Sequence, residues 1–231
     1  AMHYTRPELP EECVLGLRLD FRSFVFWRSA PLFSYQEWLL KQDLTGAYRV
    51  YRELLKFFQA AAPGKRLTLK APMHLLDPAA LLKVFPEALI VQTHREPLEC
   101  VPSDQKLTFG FQAGVTAGVD PVRVVEATTQ GQLALANRSI AVRREAEPSR
   151  IFDISYRQLV ANPRATVHAI YAHFGLPMDA SVEASLAAYI DENRQYKHGK
   201  NRYSLAQFGL KAAVLREQFA SYRSYFADYL R

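Results

Sequence analysis

The stretch "LKAPMHLLDPAALLKVFPEALIVQTHREPLECVPSDQKL", residues 69 to 107, sets polar side chains at fixed intervals between apolar runs. Lys70 and His74 follow one run; Arg95 and Ser103 follow the next. These residue types suit the handling of a phosphate. A guanidinium grips an oxyanion through two parallel N–H bonds, and a hydroxyl carried on a helix adds another. Tyr156 closes a third apolar run, "IFDIS". Each residue also has a plainer role open to it: Lys70 or Arg95 as a solvated charge at a sheet edge, His74 as a helix cap, Tyr156 as a core tyrosine.

The elements that must position these groups can be read from period and punctuation. "RLTLK" (66–70), "ALIVQTH" (88–94) and "IFDIS" (151–155) read as strands, the second a continuous apolar run expected to be buried on both faces. Helices are expected over 8–28, over "SYQEWLLKQDLTGAYRVYRELLKFFQAAAPGK" as one or two pieces, and over "DPAALLKVF" with Asp77 as N-cap and Pro78 in the first turn. Pro97 opens another helix to about Leu107, "PVRVVEATTQGQLALANRSIAVRREAEP" reads as a long helix with an interruption near Gly131, and "PRATVHAIYAHFG" as a further one. "TFGFQAGVTAGVDP" (108–121) reads as a mobile glycine-bearing loop, and two last helices flank "NRQYKHGKNRYSLAQFG". Strand–helix alternation predicts an α/β fold with a parallel sheet and heavy helical decoration. In such sheets ligands gather where strands end and helices begin. Three strands would then aim Lys70, Arg95 and Tyr156 at one edge.

At 231 residues and 49% apolar content the chain can bury a full core. The expected organisation is one domain over 1–231, helical over 1–65, α/β over 66–175, helical and basic over 176–231. The net charge of +6 is scattered rather than blocked, which favours a small polyphosphate ligand over nucleic acid or a membrane surface. No apolar run approaches the ~20 residues that span a bilayer. Cys13 and Cys100 form no CxxC pair and no disulfide framework, and the opening residues lack the apolar region of a signal peptide. A cytoplasmic protein is expected. His168 and His173 lie five apart with no carboxylate at ligand spacing, so no metal site is assigned.

Three segments carry a resemblance. Residues 69–103 resemble the "LKsPxHl…FPdAxivxtHRDPxxvxxS" core of bacterial sulfotransferases that use 3′-phosphoadenosine 5′-phosphosulfate (PAPS). "FDISYRQLVANPRATVHAIYAHFGL" resembles their "vxYedLvxdPxxxvxxIyxFxGL" segment, and "HGKNRYSLAQFGL" their "gxHrYsLedFGL" tail. The resemblance implies a three-layer parallel sheet of the P-loop kinase-like sulfotransferase type and sulfuryl transfer to a hydroxyl or amine of a small-molecule acceptor. It implies that Arg95 and Ser103, eight residues apart, hold the 3′-phosphate and that Tyr156 contacts the adenine. Lys197, Gly199, Lys200 and Arg202 would form a basic clamp on the nucleotide. Glu96 replaces the family's usual aspartate and is expected to hold the loop. Sulfuryl transfer needs a base and a cation, and His74 and Lys70 are the candidates.

The family's phosphosulfate loop, whose backbone N–H groups cradle the 5′-phosphosulfate, has no counterpart here: neither G-x-x-x-x-G-K-S/T nor an "RSGTT"-like stretch occurs. The expectation is an N-terminally incomplete fold with an open sheet edge, covered in a homodimer or by a heteromeric partner that also supplies the loop. The alternative is a non-catalytic, nucleotide-binding scaffold subunit.

Overall fold

The computed structural model describes residues 11–193 and 203–231. The chain falls into two compact units that interleave in sequence. The first takes Ala1–Glu87 and Val101–Val142, the second Ala88–Cys100 and Arg143–Arg231.

The first unit is helical: α1 (Val14–Leu17), α2 (Phe24–Ser29), α3 (Phe33–Leu39), α4 (Thr45–Ala61), α5 (Pro78–Val84), α6 (Pro97–Val115, in this unit from Val101) and α7 (Pro121–Val142). Its core contains Leu17, Trp27, Leu39, Leu44, Tyr48, Met73 and Leu76. On α4 the buried positions Ala47, Tyr48, Tyr51 and Leu55 recur at helical spacing, so one stripe faces the core. Asp77 caps α5 as expected, accepting from the Ala80 N–H at 3.0 Å, with Pro78 in the first turn.

Several expectations need correction. The helix expected over 8–28 is broken into α1, a 3₁₀ turn at Arg18–Asp20 and α2, with Phe21 left-handed (φ 54°) at the break. The 3–4 pattern that follows resolves into two helices, α3 and α4. Residues 66–70 are not a strand. Among the described residues their backbone makes one hydrogen bond, from the Cys13 N–H to Lys70 O at 2.9 Å, so no ladder forms. The expected loop at 108–121 is helical as far as Val115. Its inward stripe is Gln105, Thr108 and Gln112, all fully buried, so the helix is patterned in polar residues that apolar periodicity does not register. Gln112 Nε2 donates to Trp27 O at 2.7 Å. No interruption occurs at Gly131 of α7. It is buried within the helix, and a Cβ there would meet Gln36 Nε2 at 3.7 Å and the Trp27 ring at 4.0 Å, ordinary contact distances.

The second unit holds the sheet, two parallel strands β1 (Ile90–His94) and β2 (Ile151–Ser155) in register from Ile90↔Ile151 to His94↔Ser155. Around them come α8 (Tyr156–Ala161), α9 (Pro163–His173), α10 (Ala180–Glu192), α11 (Ala212–Gln218), α12 (Ala220–Tyr225) and α13 (Ala227–Leu230). β1 is not buried on both faces. Val91 and Thr93 are exposed, whereas Gln92 and His94 are buried. The two-residue period of the strand puts Gln92 and His94 on the inward face, where they find partners. Gln92 accepts from Arg143 at 2.8 Å. His94, with no exposed surface, meets Asp153 through Nε2 at 2.8 Å and the Tyr222 hydroxyl through Nδ1 at 2.7 Å. The fold is therefore α/β, rich in helix, with a small parallel sheet. No helix among the described residues is long and apolar enough to cross a membrane.

Candidate functional site

In the second unit the parallel register places the residues just past β1 and β2 side by side. Arg95 follows His94, Tyr156 follows Ser155, and the Arg95 guanidinium carbon lies 4.7 Å from the centre of the Tyr156 ring. This is a cation–π contact at the carboxyl edge of a parallel pair, where α/β proteins collect ligands. Arg95 Nε donates to Glu99 Oε2 at 2.8 Å, and Nη2 donates to the Tyr203 hydroxyl at 3.1 Å. Burial would lower its pKa, but the bond to Glu99 and the influence of Tyr203 and Cys100 outweigh it and raise the value. Two of the five N–H groups are thus used among the described residues, leaving the Nη1 pair and one Nη2 hydrogen for an anion. The side chain is 31% exposed, so an anion can reach it.

Beside this edge lies a partly buried charged cluster. Arg143 Nε donates to Asp153 Oδ2 at 3.1 Å, its Nη2 pairs with Oδ1, and its guanidinium lies 4.9 Å from the Phe226 ring centre. Burial works to raise the Asp153 pKa, yet the bonds from His94 and Arg143 hold it below the usual carboxylate value. Burial likewise lowers that of His94, against the pull of Asp153, so the ring is neutral and its Nε2–H faces the carboxylate. His94 therefore orients the strand end and has no surface for a ligand. Glu96 holds its loop, as expected, by accepting from Arg223 Nε at 3.0 Å.

In the first unit Ser103 is half-buried on α6. Lys70 is 72% exposed and paired with Glu12, following no strand. His74 sits in the 3₁₀ turn Pro72–Leu76, which Arg138 secures by donating to Leu76 O and, at 2.5 Å, to Leu40 O. Its Nδ1 meets the Tyr48 hydroxyl at 3.2 Å, the two rings stack at 5.9 Å, and Tyr51 lies at 6.5 Å. Burial pushes the His74 pKa down to about 4.

Arg95 and Tyr156 are thus brought together. Lys70 and His74, four residues apart, are placed differently, one in solvent and one against a tyrosine wall. Lys197, Gly199, Lys200 and Arg202 lie outside the described residues. Sequence reasoning missed Glu99, Tyr203, Tyr48 and Arg138. Only Glu99 left a local signal, the four-residue spacing from Arg95 into the start of α6. His168 does have a carboxylate, contrary to expectation: Glu183 of α10 lies 2.6 Å from it and 2.5 Å from Arg164. Among the described residues no group of three or more His, Cys, Asp or Glu side chains is arranged to hold a metal ion.

A model of the sulfotransferase family matches residues 1–180. The omega-hydroxy-beta-dihydromenaquinone-9 sulfotransferase Stf3 of Mycobacterium bovis is 25% identical over 215 residues, which are 89% of this chain and 53% of that protein. The same enzyme from Mycobacterium tuberculosis matches equally. The crystal structure of sulfotransferase STF1 from Mycobacterium tuberculosis H37Rv superposes with a TM-score of 0.83 at 29% identity, covering 95% of this chain and 57% of that one. That of STF9 from Mycobacterium avium gives 0.87 at 25% identity, covering 97% and 59%. The chain spans about half the length of the curated relatives it matches.

Proposed function

Since the chain belongs to the sulfotransferase family, we propose that it moves a sulfuryl group from PAPS to a hydroxyl of a small-molecule acceptor. The acceptor oxygen bonds to sulfur as the sulfur–oxygen bond to the nucleotide's 5′-phosphate breaks. That phosphate leaves with the bonding pair, and the acceptor's proton passes to solvent. The observation that carries the reading is Arg95 at the carboxyl ends of β1 and β2, its face on Tyr156 and three of its N–H groups open among the described residues. In this reading Arg95 and Ser103 hold the 3′-phosphate, and the adenine stacks on the Tyr156 face that Arg95 leaves open. Lys70 and His74 stabilise the migrating group. PAPS supplies the activated sulfur–oxygen bond when bound.

A hydroxyl acceptor is favoured over an amine because the curated relative is named for a hydroxylated quinone. A prenylquinone alcohol is therefore the first acceptor to try. A reducing, cytoplasmic setting and an assembly that covers the sheet edge belong to the same proposal, supported by cysteines outside any disulfide and by Leu89 and Val91, exposed at 37% and 40%. Calorimetric titration tests the nucleotide site. The protein is expected to prefer 3′-phosphoadenosine 5′-phosphate over AMP, and Arg95→Ala to lose that preference. A charge-assisted hydrogen-bond pair is worth ~1.5–3 kcal/mol, about 10- to 150-fold in affinity. Equal binding of the two nucleotides by the wild type removes the basis for the assignment. Nucleotide preference without turnover would instead mark a nucleotide-binding scaffold.

A further inference from the structure

Tyr48 has no exposed surface, and among the described residues its hydroxyl has a single partner, Nδ1 of His74. Burial, reinforced by Asp77, Cys13 and Tyr51, pushes its pKa up, so the O–H keeps its proton. A buried hydroxyl proton without an acceptor is costly, so Tyr48 must donate and Nδ1 must accept. A neutral imidazole carries one proton, which the accepting nitrogen cannot hold. It therefore resides on Nε2. That atom is not among the buried side-chain atoms left without a partner, and His74 keeps part of its surface, so the Nε2–H opens outward.

We propose that His74 acts as a fixed hydrogen-bond donor to an oxyanion through Nε2–H, and that Tyr48 is the positioning residue that sets this tautomer. A ring whose only lone pair is engaged by Tyr48 cannot take the acceptor's proton. In sulfuryl transfer, on whose assignment this role rests, His74 keeps its proton on Nε2 and hydrogen-bonds a sulfuryl oxygen. The acceptor's proton leaves to water. Stacking at 5.9 Å with an interplanar angle of 23° fixes the ring plane, and Arg138 fixes the turn that carries it.

Two measurements on the full chain decide this. The first is long-range nitrogen–proton correlation NMR of the histidine rings, with His74 identified by its loss in His74→Gln. The expected pattern is a protonated Nε2 and a bare Nδ1; a protonated Nδ1 overturns the proposal. Tyr48→Phe keeps the ring packing and removes the donor, so the Nδ1 signal should move. An unmoved signal overturns the role of Tyr48. The second compares PAPS affinity, relative to the desulfated nucleotide, in His74→Gln and His74→Ala. A glutamine amide can donate where Nε2–H donates but cannot act as a base. Gln should therefore bind PAPS about tenfold better than Ala, the worth of one hydrogen bond. Equal losses overturn the donor role. An Nε2–H ring in a protein that binds no PAPS overturns the sulfuryl-transfer reading and leaves the tautomer standing.

Discussion

Acid should weaken the first unit through His74 by an amount the structure fixes. The unfolded chain takes up this proton near the ordinary imidazole value of 6.5, whereas the folded ring, buried against Tyr48 and Tyr51, takes it up at about 4. Between those values the unfolded state binds one proton more than the native state, so stability rises with pH there. The contribution is present in full above pH 6.5 and is lost as pH falls through about 4. Its slope is about 1.4 kcal/mol per pH unit, roughly 3 kcal/mol in all, against a typical domain stability of about 5–15 kcal/mol. The control is Tyr48→Phe with His74→Leu, which removes the titrating ring and its donor together and orphans neither. Both tryptophans, Trp27 and Trp38, lie in the first unit, so urea titrations followed by tryptophan fluorescence report on it. The two proteins should run parallel above about pH 7.5 and diverge by about 1.4 kcal/mol per unit between about pH 6 and 4.5. Profiles that stay parallel throughout would refute the claim that burial holds this imidazole neutral.

Arg143→Met should destabilise the second unit by about 2–3 kcal/mol in urea-induced loss of circular dichroism, because Asp153 would keep a partly buried charge with, among the described residues, His94 alone bonded to it. A change below about 0.5 kcal/mol would mean that solvent already screens the pair. Gly16→Ala places a Cβ 2.7 Å from the Tyr51 ring and 2.9 Å from Leu54. Overpacking of ~1–3 kcal/mol should exceed the ~1 kcal/mol helix gain of alanine, lowering the urea midpoint seen by tryptophan fluorescence. Light scattering over a wide dilution range should show a stable assembly burying more than ~1,000 Å². A monomer with full sulfotransferase activity would contradict it.

How much of this protein could be read from its residues follows the range of the forces involved. Asp77–Pro78, Pro97, "IFDIS" and "PRATVHAIYAH" announce their elements because capping, fixed φ and strand or helix period act over a few residues, and the structure has them there. The ordered segments around Arg95 and Tyr156 likewise suffice to suggest the family. Where burial is polar, the chain misleads. Gln105, Thr108 and Gln112 make a helix face that looks like a loop, and Gln92 and His94 point inward from a strand whose Val91 points out. Gln112, Gln92 and His94 can be buried because Trp27, Arg143 and Asp153 are there to meet them. Residues 66–70 show the converse, a sequence with strand character and no neighbouring strand to complete it. Residue type and spacing are enough to single out side chains that could handle an oxyanion and to place Arg95 and Tyr156 at strand ends. Tertiary structure alone decided that Tyr203 reaches Arg95 across 108 residues and that Tyr48 meets His74 across 26, since a hydrogen bond depends on distance in space and no local pattern encodes it.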